Sequence, residues 1–162
     1  MSAPRLSTAG MTLSYCVETT AGTKPTTGYT IIPEVKATPS TNPTPNSIDV
    51  TPLNETDFLQ YIAGLKDLGG VMSFTANLTT DVLTAWNTTL MTAYSSGISA
   101  NPAKATWFAI SHPKLTDAVY FKGEPVPCGI NEASVNAALE TTLYIAPQSA
   151  PTMATAPTFV SA

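Results

Sequence analysis

Alternation of apolar and polar positions is the dominant pattern along this chain. Residues 11–17 set Met11, Leu13, Tyr15 and Val17 between polar neighbours, the period-2 signature of a half-buried strand. Residues 28–32 and 47–51 are shorter candidates of the same kind, the second through Ile48 and Val50. Residues 71–78 alternate Met72, Phe74, Ala76 and Leu78 against Val71, Ser73, Thr75 and Asn77. Residues 106–111 (TWFAIS) and 115–122 read as a hairpin turning at His112–Pro113. Residues 135–145 alternate from Val135 to Ile145 and predict a long final strand. Residues 57–63 stay ambiguous: Phe58 and Ile62 form a helical i, i+4 pair, yet the segment also suits a strand that turns at Gly64–Gly69.

One segment breaks the period. At 100° per residue, Val82, Leu83, Trp86, Leu90, Ala93 and Tyr94 fall within about 120° of one another. Asp81, Thr84, Asn87, Thr88, Thr92 and Ser95 fill the other side, so residues 80–96 predict a helix with a single apolar face. Thr79 or Thr80 suits its N-cap, Asp81 complements the dipole and Gly97 suits its exit. A one-faced helix packs on the flank of a sheet. The fold class expected is mainly β (α+β), an antiparallel sandwich or barrel with one flanking helix.

Between the strands, residues 33–46 (PEVKATPSTNPTPN) are rich in Pro, Thr, Ser and Asn, which removes ladder donors and core-forming side chains. They predict a long loop, and a loop of that length in a compact domain is usually functional, or disordered when isolated. Residues 147–162 carry Pro, Ala, Thr and Ser and predict a flexible tail after a β domain spanning 1–146.

Composition sharpens the picture. The 162 residues suffice for one self-contained core. Only 11% are charged, against the roughly 25% usual in globular proteins. Thr, Ser and Asn carry the polarity instead, and β-branched Thr favours strands. Net charge is −4, and the seven Lys and Arg are scattered singly, so no basic patch exists to displace counterions from phosphate. Cys16 and Cys128 lie in no CxxC or Cys/His cluster, which argues against zinc; two buried reduced thiols are expected, with one disulfide as the alternative in an oxidising compartment. The opening residues lack the apolar region of a secretory signal, and no stretch approaches a membrane span, so a soluble chain made in a cytoplasm is expected.

Candidate chemistry is sparse. The single histidine, His112, lies in a turn before Pro113, with no G-x-S-x-G, phosphate loop or H-E-x-x-H around it. Glu55 and Asp57 form the closest acidic pair, and two loop carboxylates are usually solvated. Three N-x-T sequons, at Asn54, Asn77 and Asn87, are expected by chance in a Thr-rich chain. Trp86 sits mid-face on the helix and reads as core, whereas Trp107 reads as core or as a subunit contact. The residues point to a non-enzymatic building block, with no cofactor and no metal.

Ile48-Asp49-Val50-Thr51-Pro52-Leu53, followed by Tyr61-Ile62-x-Gly64-Leu65-Lys66-Asp67-x-Gly69, resembles the central signature of major tail tube proteins of bacteriophages with long, non-contractile tails. The order of elements around it is also similar, over roughly residues 10–145. The resemblance implies a two-sheet β fold with one helix, assembled as hexameric rings stacked into a hollow tube. It implies a tape-measure protein inside, tail terminator and distal tail proteins at the ends, and phage DNA passing through without specific binding. It implies a place in the virion tail after assembly in the host cytoplasm, and no membrane partner. Many relatives carry a further C-terminal immunoglobulin-like domain, which is not expected here.

On this reading Pro33, Lys36, Pro39, Asn42 and Pro45 of the long loop, with Trp107, are the expected contacts between subunits or rings. Strands at 47–51 and 71–78 are expected to line the bore with Thr, Ser, Asn and acids, Asp49 among them. A loop that orders only on stacking would restrain early polymerisation. The alternative is another virion or surface β-module, such as a capsid decoration protein or an adhesin domain.

Overall fold

A computed structural model describes residues 3–160. The outer ends of both expected segments, 1–2 and 161–162, lie outside the described residues. With 39% strand against 13% helix, the chain is mainly β, as the alternation predicts.

The described residues form eleven strands: β1 (Thr12–Val17), β2 (Thr27–Ile31), β3 (Val35–Ala37), β4 (Thr44–Asp49), β5 (Tyr61–Asp67), β6 (Met72–Asn77), β7 (Thr106–Ser111), β8 (Asp117–Pro125), β9 (Glu140–Pro147), β10 (Thr152–Thr155) and β11 (Thr158–Phe159). Nine of them make one curled sheet in the order β11-β2-β1-β7-β8-β9-β6-β3, with β10 also on β8. All its pairings are antiparallel except β11 on β2. β4 and β5 form a separate two-stranded ribbon.

The sheet buries both faces at its centre. One core gathers Leu13 and Tyr15 of β1, Phe74 of β6, Phe108 and Ile110 of β7, Phe121 of β8 and Leu143 and Ile145 of β9. The helix, over residues 80–99, closes this core with Val82, Trp86 and Leu90, each fully buried. Thr79 caps it, its hydroxyl accepting from the Val82 N–H at 3.3 Å. Its middle, Thr84–Leu90, winds as a π-helix, so Trp86 stands in a locally widened turn. The Trp86 indole N–H donates to Val126 O at 2.7 Å. The Asn87 amide exchanges two hydrogen bonds with the Cys128 backbone. Helix and following loop are thereby tied together. The helix ends at Ser99, two residues beyond Gly97, which the sequence suggests as its exit. Gly97 serves close approach instead: a Cβ there would meet Lys104 O at 2.8 Å and Val17 Cγ1 at 3.0 Å.

The second core lies on the opposite face, with Tyr29 of β2, Ala109 of β7, and Ala118 and Tyr120 of β8. Alternation explains the division, since neighbours Phe108 and Ala109, or Tyr120 and Phe121, point to different cores. The expected flexible tail is corrected here. Its β10 extends the line of β9 along β8, and its β11 then pairs with β2, so the tail joins the two ends of the β2-β1-β7-β8 segment around Tyr29 and Tyr120. Tyr120 donates its hydroxyl to Thr155 O at 2.6 Å and thereby holds the tail. Composition could not announce this, because backbone pairing to an open edge asks little of side chains.

Two further expectations change. Residues 33–46 are not one loop: Glu34 adopts a left-handed φ of 63°, the chain turns, and β3 pairs with β6 while Val35 packs against the first core. Their end, from Thr44, belongs to β4, where Pro45 is tolerated because the strand is an edge. The strand expected from residue 135 is β9, which starts at Glu140, after Asn136 at a φ of 61°, leaving Val135 and Leu139 exposed; it is also not the last strand, since β10 and β11 follow.

Candidate assembly interface

Every residue of the β4–β5 ribbon except Gly64 is exposed. Seven residues of β5 extend about 23 Å at the usual rise, and neither strand packs extensively on another element. Ile48 and Ile62 face each other across it at 49% and 52% exposure. Gly64 shares that face and is held close: a Cβ there would meet Asn46 O and Ile48 Cδ1, both at 3.2 Å. Tyr61 and Leu65 are exposed on the other face. The ribbon therefore offers apolar side chains on both faces and an open backbone edge on each strand.

Its tip is a built loop. Val50 N–H donates to Gln60 O at 2.9 Å, and Gln60 N–H donates to Thr51 Oγ1 at 2.8 Å. Asp49 Oδ1 accepts from the Thr51 hydroxyl and amide, at 2.6 and 2.9 Å, and these bonds hold its carboxyl below the ordinary range. Glu55 accepts from the Asp57 and Thr56 amides, each at 3.0 Å, and from Gln60 Nε2 at 3.1 Å. Its carboxyl is lowered for the same reason, the Asp57 amide first. The acidic pair of the sequence thus includes one carboxylate spent on its own loop. What this loop displays is apolar: Leu53 is fully exposed, Phe58 is 80% exposed, and Leu59 is also exposed.

At the root of the ribbon lies a cavity of about 610 Å³, open to solvent and lined by Lys66, Leu68 and Val71 together with Pro147, Ala150 and Pro151. It forms where residues 146–151, which carry the chain from β9 on into β10, pass beside the end of β5. Nothing in the composition of either segment marks it.

The expected contact residues are dispersed. Pro45 and Asp49 lie on the ribbon, Pro45 opposite Lys66 and Asp49 opposite Tyr61. Asp49 is separated from the 71–78 strand that was expected to share a bore with it, since β6 sits in the main sheet with Met72, Phe74 and Ala76 buried. Pro33 is half-buried at the Glu34 turn, and Lys36 on β3 pairs with Glu140. Pro39 is half-buried beside His112, whereas Asn42 is exposed. Trp107 is half-buried and donates its indole N–H to Glu18 at 2.9 Å, beneath the Lys122 ammonium. Leu53, Phe58, Leu59 and Leu65 were missed as a group. Their signal was present as apolar residues without a consistent period.

Elsewhere, the His112 ring is tied to backbone: Nε2 meets Ser7 O at 2.8 Å and Nδ1 accepts from the Lys114 amide at 3.1 Å. Cys16 and Cys128 are unpaired and half-buried. No group of three metal-ligating side chains occurs among the described residues, and no helix there is long and apolar enough to cross a membrane.

No protein-family model matches this chain, and no curated protein does. Among solved structures, it is similar to a chain of the anti-feeding prophage baseplate, determined by cryo-electron microscopy with six-fold symmetry imposed. The TM-score is 0.61 at 12% identity, covering 96% of this chain and 98% of that one. At that identity the likeness is one of fold, and it extends over nearly the whole of both chains. The curled sheet with its helix matches the fold of that baseplate chain.

Proposed function

We propose that this chain is a structural subunit of a phage tail or tail-like particle and acts by binding copies of itself. The observation that carries the reading is the contrast between its edges. The main sheet ends in β11 and β3, two and three residues long, which is how soluble proteins blunt an edge. The ribbon keeps two long open edges with apolar residues on both faces. Isolated two-stranded ribbons are marginal in water, so this one gains most by pairing with another subunit. The fold of a six-fold baseplate component supports a place in such an assembly.

Within that class the reading favours the major tube subunit, with hexameric rings stacked into a hollow tube around a tape-measure protein. Tail terminator and distal tail proteins would bound the tube, and DNA would pass through. Head-to-tail stacking is open-ended and yields a filament. The excess of eleven acids over seven bases disfavours sticking to DNA. No catalysis is part of this reading.

Negative-stain microscopy of the concentrated full chain tests it. Stacked rings or hollow tubes are expected. Protein that stays monomeric and binds a capsid or a glycan would place it with decoration proteins or adhesins instead.

A further inference from the structure

The tip of the ribbon and the cavity at its root have matching properties, and one chain cannot bring them together. The two-stranded ladder holds them about a strand length apart, roughly 20 Å for six or seven residues. An occupant of the root cavity that resembles the tip must therefore come from another molecule.

Three features select a second copy. The first is size: about 610 Å³ falls within the roughly 300–1,000 Å³ of pockets that hold drug-sized groups, ample for one aromatic side chain and a neighbouring leucine. The second is preorganisation. Asp49, Thr51, Glu55 and Gln60 fix the loop that displays Phe58, so little ordering remains to be lost on docking. The third is charge. Asp57 immediately precedes Phe58, Lys66 lines the cavity, and neither has an ion-pair partner among the described residues. Asp67 also lines the cavity, but its Oδ1 accepts from the Gly69 amide at 2.9 Å. An acidic tip with no Lys or Arg between residues 50 and 60 is a poor match for an anionic lipid surface.

We infer that the tip of one copy docks into the root cavity of the next copy's ribbon, with Phe58 as the buried anchor and Asp57 paired to Lys66. This rests on the self-assembly reading above and names its contact. The contact joins two different patches, so it is heterologous and propagates around a ring or along a stack. An aromatic anchor in a pocket is the arrangement that concentrates binding energy.

The test uses the full chain with Cys16→Ser and Cys128→Ser, first shown to assemble as the unaltered protein does. F58C protein mixed with V71C protein and oxidised is expected to give a 58–71 disulfide dimer, identified by peptide mass. F58D is expected to raise the concentration needed for assembly at least tenfold with the monomer's melting temperature unchanged, since the side chain is exposed. K66E is expected to do the same, and D57K combined with K66E to restore assembly. If the unaltered chain assembles and F58D assembles equally well, or only 58–58 dimers form, the docking is wrong while the assembly reading stands. A chain that stays monomeric at every concentration sinks both. Tip-dependent binding to anionic vesicles without a 58–71 link assigns the tip to lipid and overturns the proposal.

Discussion

Trp107 donates its indole N–H to Glu18 across 89 residues of sequence, at 2.9 Å. The other oxygen of that carboxylate accepts from the Gly22 and Ala105 amides at 2.9 and 3.1 Å, so one buried acid organises two chain reversals and an indole. Burial alone would push the Glu18 carboxyl up. The Trp107, Gly22 and Ala105 donors, with the Lys122 ammonium nearby, outweigh that and hold it below its ordinary value near 4.5. Glu18→Ala leaves these donors unpaired and is expected to cost about 3 kcal/mol, read by urea unfolding at pH 7.

The same carboxylate makes stability depend on pH. Its folded value lies below its unfolded one, so its contribution is fully present above about pH 4.5 and is lost as pH falls through the lowered folded value. Unfolding free energy measured from pH 6 down to 2.5 is expected to fall more steeply in the unaltered chain than in Glu18→Ala. Parallel curves would show that other carboxylates dominate acid unfolding.

Gly123 is the first residue of β8 to pair with β9, after the stretch that pairs with β10. A Cβ there would collide with Ile145 Cγ2 and meet Ala146 O at 3.2 Å. Gly123→Ala is expected to destabilise by about 1–3 kcal/mol through overpacking. Adding Ile145→Ala removes the clashing methyl, so the double variant is expected to lose less than the sum of the singles. Thermal melts of the four proteins check this.

Removing residues 152–162 opens the β8 edge, exposes Tyr120 and strips its hydroxyl of Thr155 O. A drop of several degrees in Tm is expected, with self-association through the freed edge detectable by light scattering. A tail without a structural role would leave both unchanged.

Hydrogen exchange separates the ribbon from the body. In the monomer, amides of β4 and β5 are expected to exchange much faster than those of β7 and β8, because a lone two-stranded ribbon opens locally. On assembly the ribbon amides are expected to become protected, beginning with Tyr61–Asp67. Unchanged exchange would show that assembly uses another surface.

Legibility in the sequence followed the strength of periodic signals. β1, β6, β7 and β8 alternate between two faces and were found close to their bounds; the helix declared itself through Val82, Trp86 and Leu90. The resemblance block, residues 48–69, coincides with the ribbon that carries the candidate site. Phe58 and Leu65 were not recognised as a display surface. An exposed apolar residue and a buried one look alike until burial is known.

The sequence by itself determined the secondary structure of the central strands, the single apolar helix face, the low charge and the lack of a basic patch, because each is a local or summed property. Tertiary structure alone decided that residues 152–159 join the sheet, that Val135–Leu139 do not, and that Glu18 gathers Gly22, Ala105 and Trp107. It also left the β4–β5 ribbon standing free above the cavity at its root. These outcomes depend on which backbone edges and buried donors meet across long stretches of chain, and side-chain periodicity does not encode those meetings.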